Sequence, residues 1–437
     1  MPTVTSVPGV YIEEDASPAM SVSPGATAIP LFVGRFKPLK SELAGVITRI
    51  GSWLDYSTLF DTTTSSSAHV SVTSISAISA TETTTHSGQN IYQINNVDVL
   101  DLTASVSLRL YFQNGGGPCY LFPLDELDNE NQLAALPELI DEVGEITLLV
   151  SPDPDKTYRN AVYGALTASL GQNKGYFLLA DSDDGQMPSG TSRSAHVAVY
   201  YPDVVVPHTR EIDDTQVTIE GYNDKTTTLA ALRAVNTSLA SQIDQSLAVA
   251  PLFLPPSSLM AGVFCKTDRE RGVWKAPANV MLNGVNDIRV RVTDDEQGEM
   301  NMDGINVIRH FSDRGFVVWG SRTLQNDDDW RYIPVRRLFD AAERDIKKAL
   351  QPMVFEPNSQ PTWRRAQTAI DNYLYSLWQQ GGLAGNKAED AYFVRVGKGI
   401  TMTQDEINQG KMIIQIGMAA VRPAEFIILK FTQDMSQ

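Results

Sequence analysis

Asp153 and Asp181 are the residues best placed to do chemistry. Each follows a short apolar run, Ile146 to Val150 and Gly175 to Ala180. If those runs are buried parallel strands, both carboxylates lie just past strand C-termini, where open α/β sheets bind ligands. With Ser169 they could be assembled into a hydrolase, but Ser169 falls inside a helical pattern, a poor place for a nucleophile. Other chemistry is harder to build. The chain has no GxxxxGK(S/T) phosphate loop, no GxSxG elbow and no HExxH helix. His69, His86, His196, His208 and His310 are scattered without metal-ligand spacing. Asp327-Asp328-Asp329 lacks the loop spacing of a calcium site and reads as a solvated turn. Asn114-Gly115-Gly116-Gly117-Pro118 precedes a strand rather than a helix, so it reads as a tight turn and not an anion cradle. Cys119 and Cys265 are too few for a disulfide framework or a four-thiolate zinc site and read as small buried hydrophobes. The expectation is no catalytic residue, no metal and no cofactor.

The elements that would hold those aspartates alternate. Tyr120-Leu121-Phe122 predicts a strand and Gln132 to Val143 a helix, with Pro137 inside it. Ile146 to Val150 predicts a strand, Thr157 to Leu170 a helix, Gly175 to Ala180 a strand, and Leu229 to Leu247 a further helix. Such alternation over 106–262 implies a parallel sheet with covering helices. Residues 263–437 read as an α+β unit. Val335 to Leu350 is amphipathic along Leu338, Phe339, Ala342, Ile346 and Leu350, with Asp340/Arg344 and Glu343/Lys347 as exposed i,i+4 pairs. Thr362 is the expected N-cap of a second helix whose stripe is Trp363, Ala366, Ile370, Tyr373, Leu374, Leu377 and Trp378, ended by Gly381-Gly382. Glu425 to Thr432 reads as a strand. Residues 1–35 read as an extended arm, broken by five prolines and carrying the strand-like Val10-Tyr11-Ile12-Glu13. Between Arg49 and Arg109 there is no Lys or Arg, and Ser and Thr dominate Ser57 to Ser87. Residues 36–105 therefore read as a β-rich insertion.

Composition bounds the function. The chain has 437 residues and is 42% hydrophobic, enough for several packed domains. No apolar run approaches the roughly 18 residues of a membrane span. The N-terminal MPTVTSVPGVYIEED lacks a basic and an apolar signal region, so cytosolic synthesis is expected. The formal charge is −17, which argues against nucleic acid. Residues 261–437 carry 23 basic and 23 acidic side chains, so the whole excess lies in residues 1–260. One part of the molecule is acidic and solvating; the other is balanced and Arg-rich. On these grounds a structural role is favoured over enzyme activity. A cytosolic α/β hydrolase using Asp153 and Asp181, and a carbohydrate-binding surface on the Ser/Thr-rich insertion, remain open alternatives.

Several stretches together resemble the sheath proteins of contractile phage tails, R-type pyocins and related contractile injection systems. They are PGVYIEE with the run up to Phe32-Val33-Gly34; LYFQNGGGPCYLF from Leu110; KTDRERGVWKAPAN from Lys266; and GINVIRHFSDRGFVVWGSRTL from Gly304. WRYIPVRRLF, VFEPN from Val354, Trp363, GGLAG from Gly381, AYFV from Ala391 and RPAEFIIL from Arg422 follow in sheath order. The resemblance covers about 1–35 and 106–437, and 36–105 matches no motif. It implies an α/β and α+β multidomain fold: a C-terminal core domain at 263–437 joined by the N-terminal arm, a middle parallel α/β domain and a β-rich outer insertion. It implies a subunit that polymerises helically around an inner tube in a metastable extended state and contracts to drive the tube through an envelope. Val10, Tyr11, Ile12 and Glu13, with Phe426, Ile427, Ile428, Leu429 and Phe431, are then the strands that join neighbouring subunits. Arg364, Arg365, Thr368 and Asn372 are the candidate tube-facing residues. Expected partners are further copies, the inner tube protein, baseplate and tail terminator proteins, and paralogous sheath subunits. Expected location is assembly in the bacterial cytoplasm, then a phage tail or a released injection particle, with no membrane insertion.

Overall fold

A computed structural model describes residues 21–63, 65–75, 91–124, 130–170, 174–208 and 212–428. The chain divides into two units, 26–340 with 422–437 and 1–25 with 341–421.

In chain order the larger unit contains β1 (Pro30–Gly34), β2 (Thr48–Ile50), α1 (Trp53–Leu59), β3 (Ser65–Ile75), β4 (Ile91–Leu102), α2 (Ala104–Gln113), β5 (Cys119–Pro123), α3 (Glu130–Val143), β6 (Leu148–Val150), α4 (Lys156–Thr167), β7 (Phe177–Asp181) and β8 (Val197–Tyr201). There follow β9 (Val204–Val206), β10 (Val217–Tyr222), β11 (Lys225–Thr228), α5 (Leu229–Val235), α6 (Thr237–Val249), β12 (Leu252–Leu254), α7 (Ser257–Arg271), β13 (Asp287–Ile288), α8 (Asp294–Met302), β14 (Ile305–Phe311) and β15 (Gly315–Trp319).

The expected parallel sheet is present and larger than anticipated. Its order is β15-β14-β8-β7-β6-β1-β5-β2. The six strands from β14 to β5 run parallel, and β15 and β2 flank them antiparallel. Continuous apolar runs suit these strands because both faces are covered. Leu31 and Val33 face a cluster with Leu136 and Ile140 of α3 and Val162 of α4, whereas Phe32 faces Leu108 of α2 and Phe264 of α7. Helices α2 and α7 approach closely at Gly262, where a Cβ would lie 2.4 Å from the Tyr111 carbonyl oxygen. The β15 rim is closed by the loop between α7 and β13: Asn279 N donates to Val318 O at 2.7 Å and Leu282 N to Phe316 O at 2.8 Å.

Residues 36–60, grouped by composition with the insertion, pack in this main layer. Phe36, Ile50, Tyr56 and Phe60 are fully buried with Phe32 and Leu121. The β-rich part proper is the β3–β4 hairpin, and it is completed from afar. β10 pairs parallel with β3, giving a four-stranded sheet β11-β10-β3-β4. Ser66, Ala68, Val70 and Val72 point inward, the half-buried alternation expected of such a strand. Leu229 to Leu247 is not one helix. Asn236 ends α5 and caps α6, its side chain accepting from Leu239 N at 3.0 Å.

Helix α9 (Ile333–Leu350) begins in this unit. Asp340 is not exposed as expected. It is 4% accessible and pairs with Arg336 at 2.9 Å and His196 at 3.3 Å. Arg337, equally buried, pairs with Asp268 of α7 at 2.6 Å and lies over the Phe264 ring. Removing one partner of such a pair costs about 3–5 kcal/mol.

The smaller unit holds the end of α9, then α10 (Gln360–Gln379), α11 (Ala388–Ala391), β16 (Tyr392–Val396), α12 (Gln404–Asn408) and β17 (Ile414–Met418). β16 and β17 form an antiparallel two-stranded sheet, and among the described residues no third strand joins it. Ala366, Ile370, Tyr373, Leu374 and Leu377 of α10 are buried as their spacing predicts, with Trp363 and Trp378 half-buried. Thr362 is not the N-cap: Ser359 is, because the helix accommodates Pro361 in its first turn and starts at Gln360.

Candidate functional site

The β1–β6 pair is where the strand order reverses, the position at which sheets of this topology open a ligand crevice. Here the crevice is filled from within. Arg35, the residue after β1, lies 3.4 Å from Asp153 and 3.0 Å from Asp155, and its guanidinium covers the Tyr158 ring at 4.5 Å. Asp155 caps α4 by accepting from Thr157 N at 2.9 Å. Arg159 of α4 donates to the Asp153 carbonyl at 2.9 Å. Burial pushes Asp153 up to about 6 against the pull of Arg35.

Asp181, at the end of β7, is also buried and pushed up to about 6 by burial, opposed by Arg159. Its carboxylate accepts from Ser257 N at 2.7 Å and from Tyr163 OH at 3.1 Å. Both aspartates therefore hold the ends of strands and helices together. Ser169 lies just beyond α4, buried, and its hydroxyl hydrogen-bonds to neither. Cys119 and Cys265 are buried free thiols, and burial raises both. Asp327 accepts from Asp329 N at 3.1 Å and Trp330 N at 2.7 Å, the solvated turn expected of that run. Among the described residues no group of His, Cys, Asp and Glu could hold a metal ion.

A second polar constellation was not apparent from spacing. Asn306 of β14 is fully buried and donates to the carbonyls of Val199 at 3.1 Å and Arg322 at 2.8 Å, while accepting from Arg322 N at 2.7 Å. Arg322, so fixed, turns its guanidinium onto Glu425: Nε to Oε1 is 2.9 Å and Nη2 to Oε2 is 2.7 Å. Asn301 donates to the same carboxylate at 2.9 Å and Tyr332 OH at 3.0 Å. Arg322 Nη1 also donates to Asn301 O at 2.9 Å. Burial alone would raise Glu425, but the hydrogen bonds from Arg322 and Asn301 bring it below the ordinary glutamate range. Asn306 and Arg322 share one stretch of the sequence motifs, and Tyr332 and Glu425 come from two others. That shared origin was the one available signal.

Of the candidate strand residues, Val10, Tyr11, Ile12, Glu13, Leu429 and Phe431 lie outside the described residues. Phe426, Ile427 and Ile428 are described. They form no strand within this chain and are 70%, 80% and 79% exposed. Arg364, Arg365, Thr368 and Asn372 share the exposed face of α10, with Arg365 3.5 Å from Glu356.

Comparison with known proteins gives a consistent pattern. The phage tail sheath protein central domain matches residues 194–324, and the phage tail sheath C-terminal domain matches 325–434. The tail sheath protein of Vibrio phage KVP40 is 30% identical over 135 residues, 30% of this chain and 20% of that protein. A putative prophage major tail sheath protein of Pseudomonas aeruginosa is 33% identical over 90 residues, 20% of this chain and 23% of that protein. The chain thus spans about a fifth of the length of these curated relatives. Solved structures match throughout. The helical sheath of the anti-feeding prophage in its contracted state is 66% identical, with TM-score 0.76, over 99% of this chain and 100% of that one. The contracted PVC sheath complex of an extracellular contractile injection system is 39% identical, with TM-score 0.69, over 99% of both chains.

Proposed function

The chain belongs to the phage tail sheath family, and from that premise we propose that it is the structural subunit of a contractile sheath. Copies wind helically around an inner tube in a metastable extended state, and contraction drives the tube through a target envelope. The observation that carries this is likeness over 99% of the chain, at 66% identity, to a protein solved as a helical sheath. The free energy is stored at assembly: two packings of one lattice differ by a few kcal/mol per copy, and the sum over many copies does the work. The Arg35 plug supports this reading over hydrolysis at Asp153 and Asp181, since both carboxylates are engaged as internal ties.

The strand arms give the lattice its links. Val10 to Glu13 and Phe426 to Phe431 add to a sheet of a neighbouring copy, where backbone hydrogen bonds persist while subunits slide. The exposed, strand-free Phe426 to Ile428 supports this. Arg364, Arg365, Thr368 and Asn372 face the tube, and the β3–β4 hairpin within residues 36–105 supplies the outer insertion. The baseplate is a further partner, as a similar protein, 66% identical over 99% of this chain, was solved within an anti-feeding prophage baseplate. Tail terminator proteins and paralogous sheath subunits complete the set. Assembly takes place in the bacterial cytoplasm, and the product is a phage tail or a released particle. Negative-stain microscopy of the chain co-expressed with a tube protein tests the reading: long ribbed cylinders are expected, and dispersed particles at every ionic strength would refute it.

A further inference from the structure

The C-terminal segment leaves the body of its unit at one residue. Pro423 and Glu425 are half-buried, Arg422 and Ala424 are exposed, and from Phe426 every described residue is exposed. Among the described residues contact with the unit therefore ends at Glu425, whose carboxylate is filled by Arg322, Asn301 and Tyr332. The holding groups are themselves immobile. Arg322 is tied through both its backbone N and its carbonyl to Asn306, which reaches across to β8.

Resting on the sheath reading, we propose that Glu425 is a positioning residue. It is the fixed root from which the C-terminal arm departs towards a neighbouring copy, and Arg322 with Tyr332 and Asn301 is the clamp that holds it. Three features argue for a root rather than a general stabilising bond. The clamp grips an irregular segment and not an element of the fold. Among the described residues it is the last contact before the exposed Phe426, Ile427 and Ile428. Its bidentate fork fixes direction as well as position, because a planar guanidinium meets a carboxylate in one geometry. A root free to swing would spread the arm over many directions, and that entropy would have to be lost at every lattice contact.

The test compares wild type with Glu425→Gln, Glu425→Ala and the milder Asn301→Ala. On the isolated chain, a protease cutting after Phe426 must draw Glu425 into its cleft, so cleavage should quicken by about tenfold in Glu425→Ala, as expected when a charge-assisted pair is lost. Glu425→Gln should be intermediate, and the order of cleavage should hold at temperatures well below the thermal midpoint of every variant. Co-expressed with the tube protein, the assembled fraction should fall in the same order. Unchanged cleavage, or variants that cleave faster yet assemble fully, would overturn the proposal. If wild type itself assembled nothing, the sheath reading would fail separately, and the cleavage comparison would still decide whether the clamp holds the segment.

Discussion

Asp153 and Asp181 differ electrostatically from Glu425, and acid should tell them apart. Asp153 and Asp181 are both pushed up to about 6 by burial. In the unfolded chain such groups titrate near 3.9. Between about pH 4 and pH 6 the folded state therefore holds the extra protons, and this contribution to stability is lost as pH rises through the window. Asp181→Asn removes one such group. Its unfolding midpoint should gain on that of wild type as pH is raised across the window, and a constant offset would contradict the assignment. Glu425 has the opposite sign, because its depressed value makes its contribution present above the ordinary glutamate range and lost as pH falls through the folded value. The C-terminal root should thus stay closed through mildly acidic conditions. Only part of this was legible from residue order. Asp153 and Asp181 announce themselves by following apolar runs. Glu425 stands 103 positions from Arg322, and local spacing carries no trace of that pairing.

At the scale of elements, backbone geometry decides two further outcomes. β10 bulges between Glu220 and Tyr222, where Gly221 takes φ 93° and a Cβ would lie 2.0 Å from the Val72 carbonyl oxygen. Gly221→Ala should cost about 1–3 kcal/mol in strain alone. Hydrogen exchange should speed up in β3, β4 and β10 while β6 and β7 remain protected. Equal loss of protection in both sheets would mean that the small sheet has no separate stability. The exposed face of α10 yields a prediction about partners. Arg364→Glu with Arg365→Glu reverses two charges without touching the buried stripe, so the chain should fold normally and copolymerise poorly with the tube. Unchanged tube coverage would remove that face from the interface. Periodicity revealed the helices because one face is buried. It could not reveal that β3 pairs with β10, because a parallel pairing between distant strands leaves no mark on either strand's own pattern. It also ran α5 and α6 together, since Asn236 interrupts the chain without interrupting the apolar spacing.

For the molecule as a whole, charge should govern association. All of the net −17 lies in residues 1–260. Copies stacked in a lattice bring those surfaces together, and added salt shortens the range of their repulsion. Raising ionic strength from about 50 mM to about 500 mM should drive unassembled chain into cylinders, as read by sedimentation, whereas dissolution by salt would show that attractive ion pairs dominate instead. The α/β class of the central layer was readable from its apolar runs, and the acidic bias from simple counting. The exact division into two units was not, because the boundary falls inside α9 and the chain returns to the larger unit at Arg422.

Arg35 has one more consequence. By seating its own guanidinium in the notch between β1 and β6, the chain presents a filled patch there, so a molecule packed against that notch would meet a surface rather than a recess.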